Sequence, residues 1–287
     1  MNVIWLVIIS AILHSYWNAT LKKAINEKGD SVLIYWLSIL LGLLIYASPF
    51  ILLLFKYGIS TRGIALSTLA GLFLAIYTYF ISKAYQNAEL SHVYPLAKIT
   101  PLFTLLIGVA YLHEKLNLAS FIGITLVILG VYTLNLQSVK SLLAPIISLK
   151  EPVSRYALLS ALISSIYGLF SKLGVRQTHP LLFVYLAFFF SAVFYTPIVL
   201  AKLPQIEHQL YTYKNYLIQI AFADLFGYSL ILIALSISTL SSVFALRQLS
   251  IVFSVLIGIF FFKEHNATMR VISSLIILSG ITLITLS

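Results

Sequence analysis

The sequence predicts an all-α integral membrane protein with ten transmembrane helices. Of its 287 residues, 61% are hydrophobic and only 9% are charged, and the mean hydropathy is +1.02. A water-soluble domain of this composition would leave a large apolar surface exposed. The apolar residues also fall into runs long enough to cross a hydrocarbon layer of about 30 Å, which takes about 20 residues per helix. A third observation, an internal repeat, divides the helices into two equal sets.

The spans follow one another with short connections. They are predicted at residues 2–21, 31–55, 63–86, 91–112, 117–136, 153–174, 179–201, 214–237, 240–262 and 267–286. At 86–89 and 113–115 only a few polar residues separate two apolar runs. Breaks are expected there because an unbroken helix would be much longer than the bilayer is thick. No cleavable leader is expected, since the first apolar run has no basic segment before it.

A shift of 150 residues superposes the two halves of the chain. Between 91–114 and 241–264 it gives eight identities without a gap, where about two or three are expected by chance. They pair Ser91, Val93, Leu96, Phe103, Leu106, Ile107, Gly108 and Glu114 with Ser241, Val243, Leu246, Phe253, Leu256, Ile257, Gly258 and Glu264. Five spans per copy are an odd number, so the second copy is expected to cross the membrane in the opposite sense. Such inverted repeats support alternating access in many carriers, although a duplication could also simply build a stable bundle.

The repeats predict the domain boundaries: a first repeat at 1–137, a linker at 138–152 and a second repeat at 153–287. Orientation is harder to predict. With a cytoplasmic N-terminus, five Lys and Arg residues would lie in cytoplasmic connections and ten on the other side. The positive-inside rule therefore favours the opposite orientation.

Several classes of function find no support in the sequence. The chain has no cysteine, and its 18 Lys and Arg residues are scattered between apolar runs without a basic stripe. Nucleic acid is therefore not an expected partner. His113-Glu114 lacks the second histidine of a zinc-binding HExxH motif, and no nucleophile or phosphate-binding motif is present. We predict no catalytic residue, no metal and no cofactor.

Four charged residues of the predicted spans are candidates for charge at membrane depth: Lys83, Lys98, Asp224 and Arg247. A charge at this depth is costly unless it has a partner, a wet cavity or a route to the interface. Three cations face one carboxylate, so an anionic group on a solute would compensate the excess charge. Asp224 is predicted either as a counter-ion of Lys98 or Arg247 or as a site for a coupling proton. The alternative for the cations is that their long side chains reach the membrane interface.

The first span carries a polar stripe. His14, Trp17 and Asn18 share one helix face, and their repeat-related positions are Ser164, Tyr167 and Gly168. This pattern predicts the wall of a central cavity, with His14 as a second candidate proton site. Hydrogen bonding between packed helices is the alternative for the polar residues.

Further residues complete the predicted solute site. Tyr79 precedes Lys83 by one helical turn, as Asp224 precedes Tyr228. Gln248 is the repeat-related position of Lys98, and Tyr94 lies one turn before Lys98. The predicted solute-binding set is His14, Trp17, Asn18, Tyr79, Tyr94, Lys98, Tyr167, Tyr228, Arg247 and Gln248, with Asp224, Lys83 and His14 for coupling or charge pairing.

Three segments resemble the EamA branch of the drug/metabolite transporter superfamily. They are Leu13-His14-Ser15-Tyr16-Trp17-Asn18, Tyr94-Pro95-Leu96-Ala97-Lys98 and Leu246-Arg247-Gln248-Leu249-Ser250, together with the paired Glu114 and Glu264. They are most similar to a bacterial subgroup with an H-A-x-W-N opening. The resemblance implies two inverted five-helix EamA repeats, cytoplasmic termini and a cavity bounded by spans 1, 3, 4, 6, 8 and 9.

This chain departs from that subgroup at three places. The subgroup has Ala at the position of Ser15, Arg-Gly at Lys98-Ile99 and Glu at Gln248. The last change leaves Arg247 without an adjacent carboxylate.

These observations predict a secondary transporter in the cytoplasmic (inner) membrane. It would move a small polar or amphipathic metabolite bearing an anionic group by alternating access, with proton coupling as an option. The expected partners are this small molecule, membrane lipid and protons. A flippase for a lipid-linked substrate, a non-transporting membrane subunit and a lipid-modifying membrane enzyme are the alternatives.

Overall fold

The computed structural model describes residues 3–86, 97–134, 136, 147, 150–253, 255 and 268–286. Within these ranges the regular elements are helices. They are α1 (Val3–Asn26), α2 (Ser31–Ile45), α3 (Ala47–Tyr57), α4 (Thr61–Gln86), α5 (Thr100–Ala110), α6 (Leu118–Thr133), α7 (Pro152–Gly174), α8 (Pro180–Leu200), α9 (Ile206–Thr212), α10 (Lys214–Ile237), α11 (Leu240–Leu246) and α12 (Thr268–Leu286).

Six of the helices in the described ranges, α1, α4, α7, α8, α10 and α12, are long and apolar enough to cross a membrane. The pair α2–α3 makes a seventh candidate if it is one bent span. Three further apolar stretches are shorter: α5, α6 and the segment 240–253 that contains α11. The protein is therefore a multi-pass α-helical membrane protein.

The predicted span 31–55 is not one straight helix. It is divided at Tyr46 into α2 and α3, whose axes differ by 57°. Pro49 lies in the first turn of α3. A proline has no N–H to donate and its ring collides with the carbonyl group four residues earlier, here that of Ile45, so a continuous straight helix is disfavoured.

Two helix breaks occur at repeat-related places. One precedes α5 at Lys98 and Ile99, and the other follows α11 at Arg247 and Gln248. Pro101 accounts for the first break, because its ring would collide with the carbonyl group of Ala97 in a continuous helix. The second copy breaks without a proline. Lys98 thus lies in the turn before α5, and Arg247 lies in the turn after α11.

The repeat-related helices α6 and α12 pack against each other in opposite directions. A Cβ atom on Gly123 would lie 2.6 Å from the carbonyl oxygen of Gly280, and one on Gly130 would lie 2.9 Å from that of Ser273. The start of α6 thus meets the end of α12. Because Gly123 is related to Ser273 and Gly130 to Gly280 by the repeat, each contact is the copy of the other.

The helices α2 and α8, also related by the repeat, cross in the same way. The indole nitrogen of Trp36 donates to the carbonyl oxygen of Ala192 at 3.2 Å, and the Tyr185 hydroxyl donates to that of Leu43 at 3.1 Å. The start of α2 therefore meets the end of α8, and the end of α2 meets the start of α8. These two repeat-related helices thus run in opposite directions, as α6 and α12 do.

Other large contacts join a helix of the first half to a helix of the second half that is not its repeat-related counterpart. α1 packs against α10, and α4 packs against α7, which is the repeat-related combination. Of the membrane-length helices in the described ranges, α10 is the most buried. Its side chains, including those of Asp224 and Tyr228, therefore lie close to the centre of the bundle.

Candidate functional site

A central cavity lies between α1, α2, α4, α7, α8 and α10 and is completed by residues at the two helix breaks and on α5 and α11. It contains about 720 Å³ of empty space, counted together with the space that is open to the surroundings. The lining residues are His14, Trp17, Tyr35, Leu74, Tyr77, Ala97, Lys98, Thr100, Ser164, Tyr167, Phe188, Asp224, Tyr228, Phe244, Arg247, Gln248 and Ser250.

Most of the lining positions are related in pairs by the repeat. The pairs are His14 with Ser164, Trp17 with Tyr167, Leu74 with Asp224, Ala97 with Arg247, Lys98 with Gln248 and Thr100 with Ser250. In each pair that contains an ionisable His, Lys, Arg or Asp, the partner is uncharged. The shape of the cavity thus follows the repeat, whereas its charge does not.

His14 lies between the two cations. Its Nε2 atom is 3.1 Å from Nζ of Lys98, and its Nδ1 atom is 3.3 Å from a terminal nitrogen of Arg247. A neutral imidazole has one accepting nitrogen and one N–H group. His14 can therefore accept a hydrogen bond from only one of the two cations at a time.

In the part of the chain that the structure describes, four polar atoms of the wall are buried without a hydrogen-bond partner. They are the indole N–H of Trp17, the hydroxyl of Tyr167, the Nε–H of Arg247 and the Oε1 atom of Gln248. The amide nitrogen of Gln248 donates to the carbonyl oxygen of Phe244 at 3.0 Å, which orients the side chain. Most buried polar groups in proteins are satisfied, so four such atoms around one cavity indicate a place where a polar ligand binds.

Aromatic rings form much of the remaining wall. Trp17 stacks on His14 at 5.4 Å, and Tyr167 stacks on Tyr228 at 5.0 Å. The guanidinium carbon of Arg247 lies 5.2 Å from the centre of the Tyr228 ring, a cation–π arrangement that orients the side chain. These contacts combine an apolar wall with a fixed positive group.

Asp224 lines the cavity but does not form the predicted ion pair with a cation. No carboxylate of the described residues lies within 4.0 Å of a nitrogen of Arg247. The ion pair that these residues do form joins Lys202 to Asp30, and neither of the two lines the cavity. The guanidinium group of Arg247 turns instead toward His14 and the Tyr228 ring. Asp224 therefore faces the cavity one turn before Tyr228 without a direct ion-pair partner in the described ranges.

A second cavity, with about 570 Å³ of empty space counted in the same way, continues from the first. The two share the lining residues Trp17, Tyr35, Tyr77, Ala97 and Lys98. The second also contacts Asn18, Leu21, Ile25, Ser31, Thr78, Ile81 and Ser82, and so it runs toward the loop between α1 and α2. Asn18 both lines this space and donates to the carbonyl oxygen of His14 at 2.7 Å.

Tyr79 and Lys83 were predicted in the site, but they do not line either cavity. The Lys83 ammonium lies 5.8 Å from the centre of the Tyr79 ring, and Tyr79 is 37% exposed. The cavity face of α4 contains Tyr77 and Ile81 instead. Because consecutive helical residues are 100° apart, a residue two positions later points to the opposite side. The predicted site residue Tyr94 lies outside the described residues.

Sequence reasoning missed four aromatic wall residues: Tyr35, Tyr77, Phe188 and Phe244. It also missed Thr100 and Ser250, although the repeat related them to each other. A search for polar residues at matching positions of both copies would have found this pair. In the described ranges, no group of His, Asp and Glu side chains could hold a metal ion.

The EamA-like transporter family matches residues 1–136 and 154–286. The chain belongs to this family. As an EamA-like protein, it is a membrane transporter of the drug/metabolite transporter type.

Comparison with solved structures supports the same fold. One crystal structure of a protein, at 14% sequence identity, superposes with a TM-score of 0.71 over 99% of this EamA-like chain and 97% of the other. No curated protein sequence matches this chain significantly.

Proposed function

We propose that this EamA-like protein is a secondary carrier for a small polar or amphipathic metabolite that bears an anionic group. The observation that carries the proposal is the half-buried cluster of His14, Lys98 and Arg247, next to which the Nε–H of Arg247 and the indole N–H of Trp17 have no partner among the described residues. The proposal assigns no catalytic residue and no cofactor.

Electrostatics favour an anion at this place. Lys98 and Arg247 contact the two nitrogens of one imidazole ring, and like charges this close repel each other more strongly as the effective dielectric constant falls. A carboxylate or phosphate that accepts hydrogen bonds from both Lys98 and Arg247 would replace this repulsion with attraction. The planar guanidinium group can bind two oxygens of such a group at once. Trp17 and Tyr228 would then contact the less polar part of the solute.

Alternating access would follow from the architecture. The antiparallel packing of α6 with α12, and of α2 with α8, supports two repeats that cross the membrane in opposite senses. In this proposal the ten spans are the six long helices, the bent pair α2–α3 counted as one span, and the three shorter apolar stretches. Exchanging the packing of the two halves would open the cavity first to one face and then to the other.

The proposal includes the boundaries and the membrane. The repeats are placed at 1–137 and 153–287 with a linker at 138–152, and both termini lie in the cytoplasm of a cell whose cytoplasmic membrane holds the carrier. His14 and Asp224 are the candidate sites for a coupling proton, because both line the cavity. Proton binding at either would change the charge that the solute meets.

Ligand-induced stabilisation of the purified protein tests this function. Small carboxylates and phosphates should raise the unfolding temperature, and their neutral amide and alcohol analogues should not. A ligand at a hundred times its Kd stabilises by about 2.7 kcal/mol.

The variants Lys98→Met and Lys83→Met are a matched pair, since both remove a lysine from a predicted span but only Lys98 lines the cavity. The shift should be lost in the first and kept in the second. Equal shifts with charged and neutral compounds, or a full shift in Lys98→Met, would exclude an anion site here.

A further inference from the structure

The second cavity lies beside α1 in the first repeat, whereas the equivalent space beside α7 in the second repeat is filled by side chains. Positions on α1 line the second cavity, whereas the repeat-related positions on α7 are in the packed interior. The pairs are Asn18 with Gly168, Leu21 with Ser171 and Ile25 with Val175; Ser171 is 0% and Val175 8% exposed. The structure therefore has one route that leads out of the cavity and one repeat-related route that is closed.

Side chains of α10 and α11 fill the closed route. A Cβ atom on Gly168 would lie 2.7 Å from the Phe244 ring, so this ring packs directly on the α7 backbone. Tyr228 stacks on Tyr167, and its hydroxyl is 3.5 Å from that of Ser171. In the other copy the position of Tyr228 is occupied by the smaller Thr78, which lines the second cavity. Tyr228 and Phe244 thus act as the closing side chains.

The turn between α10 and α11 is held on one side by Lys172. Its Nζ atom donates to the carbonyl oxygens of Leu235 at 2.6 Å and Ser238 at 2.5 Å, and the side chain is 7% exposed. The last carbonyl groups of a helix have no partner within the helix. Lys172, next to Ser171 in the closed route, supplies this partner for α10.

Glu114 holds the same turn on the other side. Its carboxylate accepts from the backbone N–H groups of Leu240 at 2.5 Å and Ser241 at 3.2 Å, and from the Ser241 hydroxyl at 2.6 Å. These are the N–H groups at the start of α11. Two side chains of opposite charge, from α7 and from the segment after α5, thus bind the backbone on either side of the α10–α11 break.

A simpler cap is already present at this helix start. The Thr239 hydroxyl accepts from the N–H of Ser242 at 3.2 Å, which is the usual way of satisfying a first turn. Lys172 and Glu114 add charge-assisted hydrogen bonds to the same turn, and such bonds are stronger than those of a neutral cap. The turn connects Tyr228 on α10 to Phe244 on α11, and fixing it fixes both closing side chains.

We infer that Glu114 and Lys172 form a clamp on the α10–α11 turn that keeps the repeat-related route closed. They are positioning residues: they act through Tyr228 and Phe244 and do not contact the solute. The inference rests on the proposed carrier function, because a route must open for transport. The sequence has the same residue types at the repeat-related positions Lys22, Ser91 and Glu264.

Cysteine accessibility can test the clamp directly, because the chain has no native cysteine. Ile25→Cys reports on the open route and Val175→Cys on the closed one, and the two positions are repeat-related. Each is combined with Lys172→Met or Glu114→Ala in purified protein and treated with a water-soluble maleimide. Lys83→Met is the matched control, since Lys83 does not contact the turn.

The clamp predicts opposite changes at the two cysteines. Val175→Cys should react about tenfold faster when either clamp residue is removed, as expected for the loss of a charged hydrogen-bonding partner. Ile25→Cys should react more slowly, and Lys172→Arg should restore the original rates. Ser241→Ala, which removes only one hydroxyl group from the clamp, should give a smaller change in the same direction.

Three results would overturn the inference: unchanged rates at both cysteines, equal increases at both, or a change in Ser241→Ala opposite to that in Glu114→Ala. Equal increases would mean that the clamp only stabilises the fold. If the larger substitutions prevent folding, the Ser241→Ala rates decide. Labelling requires no solute, so a failure to find any transported compound would contradict the proposed function and leave the clamp result standing.

Discussion

Replacement of Arg247 separates the binding role of the cavity from its structural role. Its guanidinium group contacts His14 at 3.3 Å and the Tyr228 ring at 5.2 Å, has a buried Nε–H without a partner, and forms no ion pair with the described residues. In Arg247→Met the side chain keeps much of its apolar length but loses the charge. We expect the protein to unfold at the same or a higher temperature, because an uncompensated buried cation is removed.

Binding of the anionic solute should change in the opposite sense. Loss of one charged partner from a buried hydrogen-bonded pair costs about 2–5 kcal/mol, which corresponds to a loss of affinity of about 30-fold or more. Arg247→Lys keeps the charge but loses the planar pair of donors and most of the stacking on Tyr228, so an intermediate loss is expected.

Isothermal titration of the compounds that stabilise the wild type gives Kd, and differential scanning fluorimetry gives the unfolding temperature. The two assays together test the reasoning on Arg247. An unchanged Kd in Arg247→Met, or a large drop in unfolding temperature without ligand, would refute it.

Three further predictions concern the scaffold. Gly280→Ala should lower the free energy of unfolding by about 1–3 kcal/mol, because the new Cβ atom would lie 2.5 Å from a carbonyl oxygen of α6. Gly42→Ala is the control, since its Cβ atom would meet nothing closer than 3.4 Å. Equal effects of the two variants in thermal unfolding would contradict the close packing. Asp30→Ala should cost about 1 kcal/mol because Asp30 accepts two N–H groups at the start of α2, and Asp30→Asn should cost less; the reverse order would show that capping is not the cause. Burial, and secondly the charge of Lys56, lower the pKa of His179, which precedes α8, below its usual 6.5. Its contribution to stability should be complete above pH 6.5 and lost as the pH falls through the lowered folded-state pKa, and a variant His179→Asn that keeps the full acid sensitivity would contradict this assignment.

The repeat was the most informative part of the sequence. Most positions that line the cavity come in repeat-related pairs, and the polar stripe on the first span led to Trp17 and to its counterpart Tyr167, which both line the cavity. Lys98 and Gln248 were paired in the same way. A duplicated chain must build both walls of a central space from matching positions, and the shift of 150 residues identifies these positions without knowledge of the fold.

Hydropathy could not show which side of each helix faces the cavity. Tyr79 and Lys83 have the same spacing as Asp224 and Tyr228, yet only the second pair lines the central space. In a membrane both the lipid-facing and the inward faces are apolar, so periodicity distinguishes them poorly. Asp224 and Tyr228 face the cavity because α10 is packed among α1, α2 and α8. This packing depends on the whole bundle and not on the local sequence.

Backbone breaks were only partly predictable. A proline marks the bend after Tyr46 and the break before α5, but the break at Arg247 has no such residue. Only the structure reveals it. The tilt of Arg247 toward His14 and the Tyr228 ring, which leaves Asp224 without a direct ion pair, depends on this turn and could not be derived from charge counting.

Solute counterflow in proteoliposomes tests the central claim most directly. Vesicles loaded with an anionic compound that stabilises the protein are diluted into the labelled compound, and its uptake is followed. Saturable accumulation is expected for the wild type and for Lys83→Met, with loss of accumulation in Lys98→Met. Absence of exchange for every anion that binds, or exchange at the wild-type rate in Lys98→Met, would contradict a carrier built around this positively charged cavity.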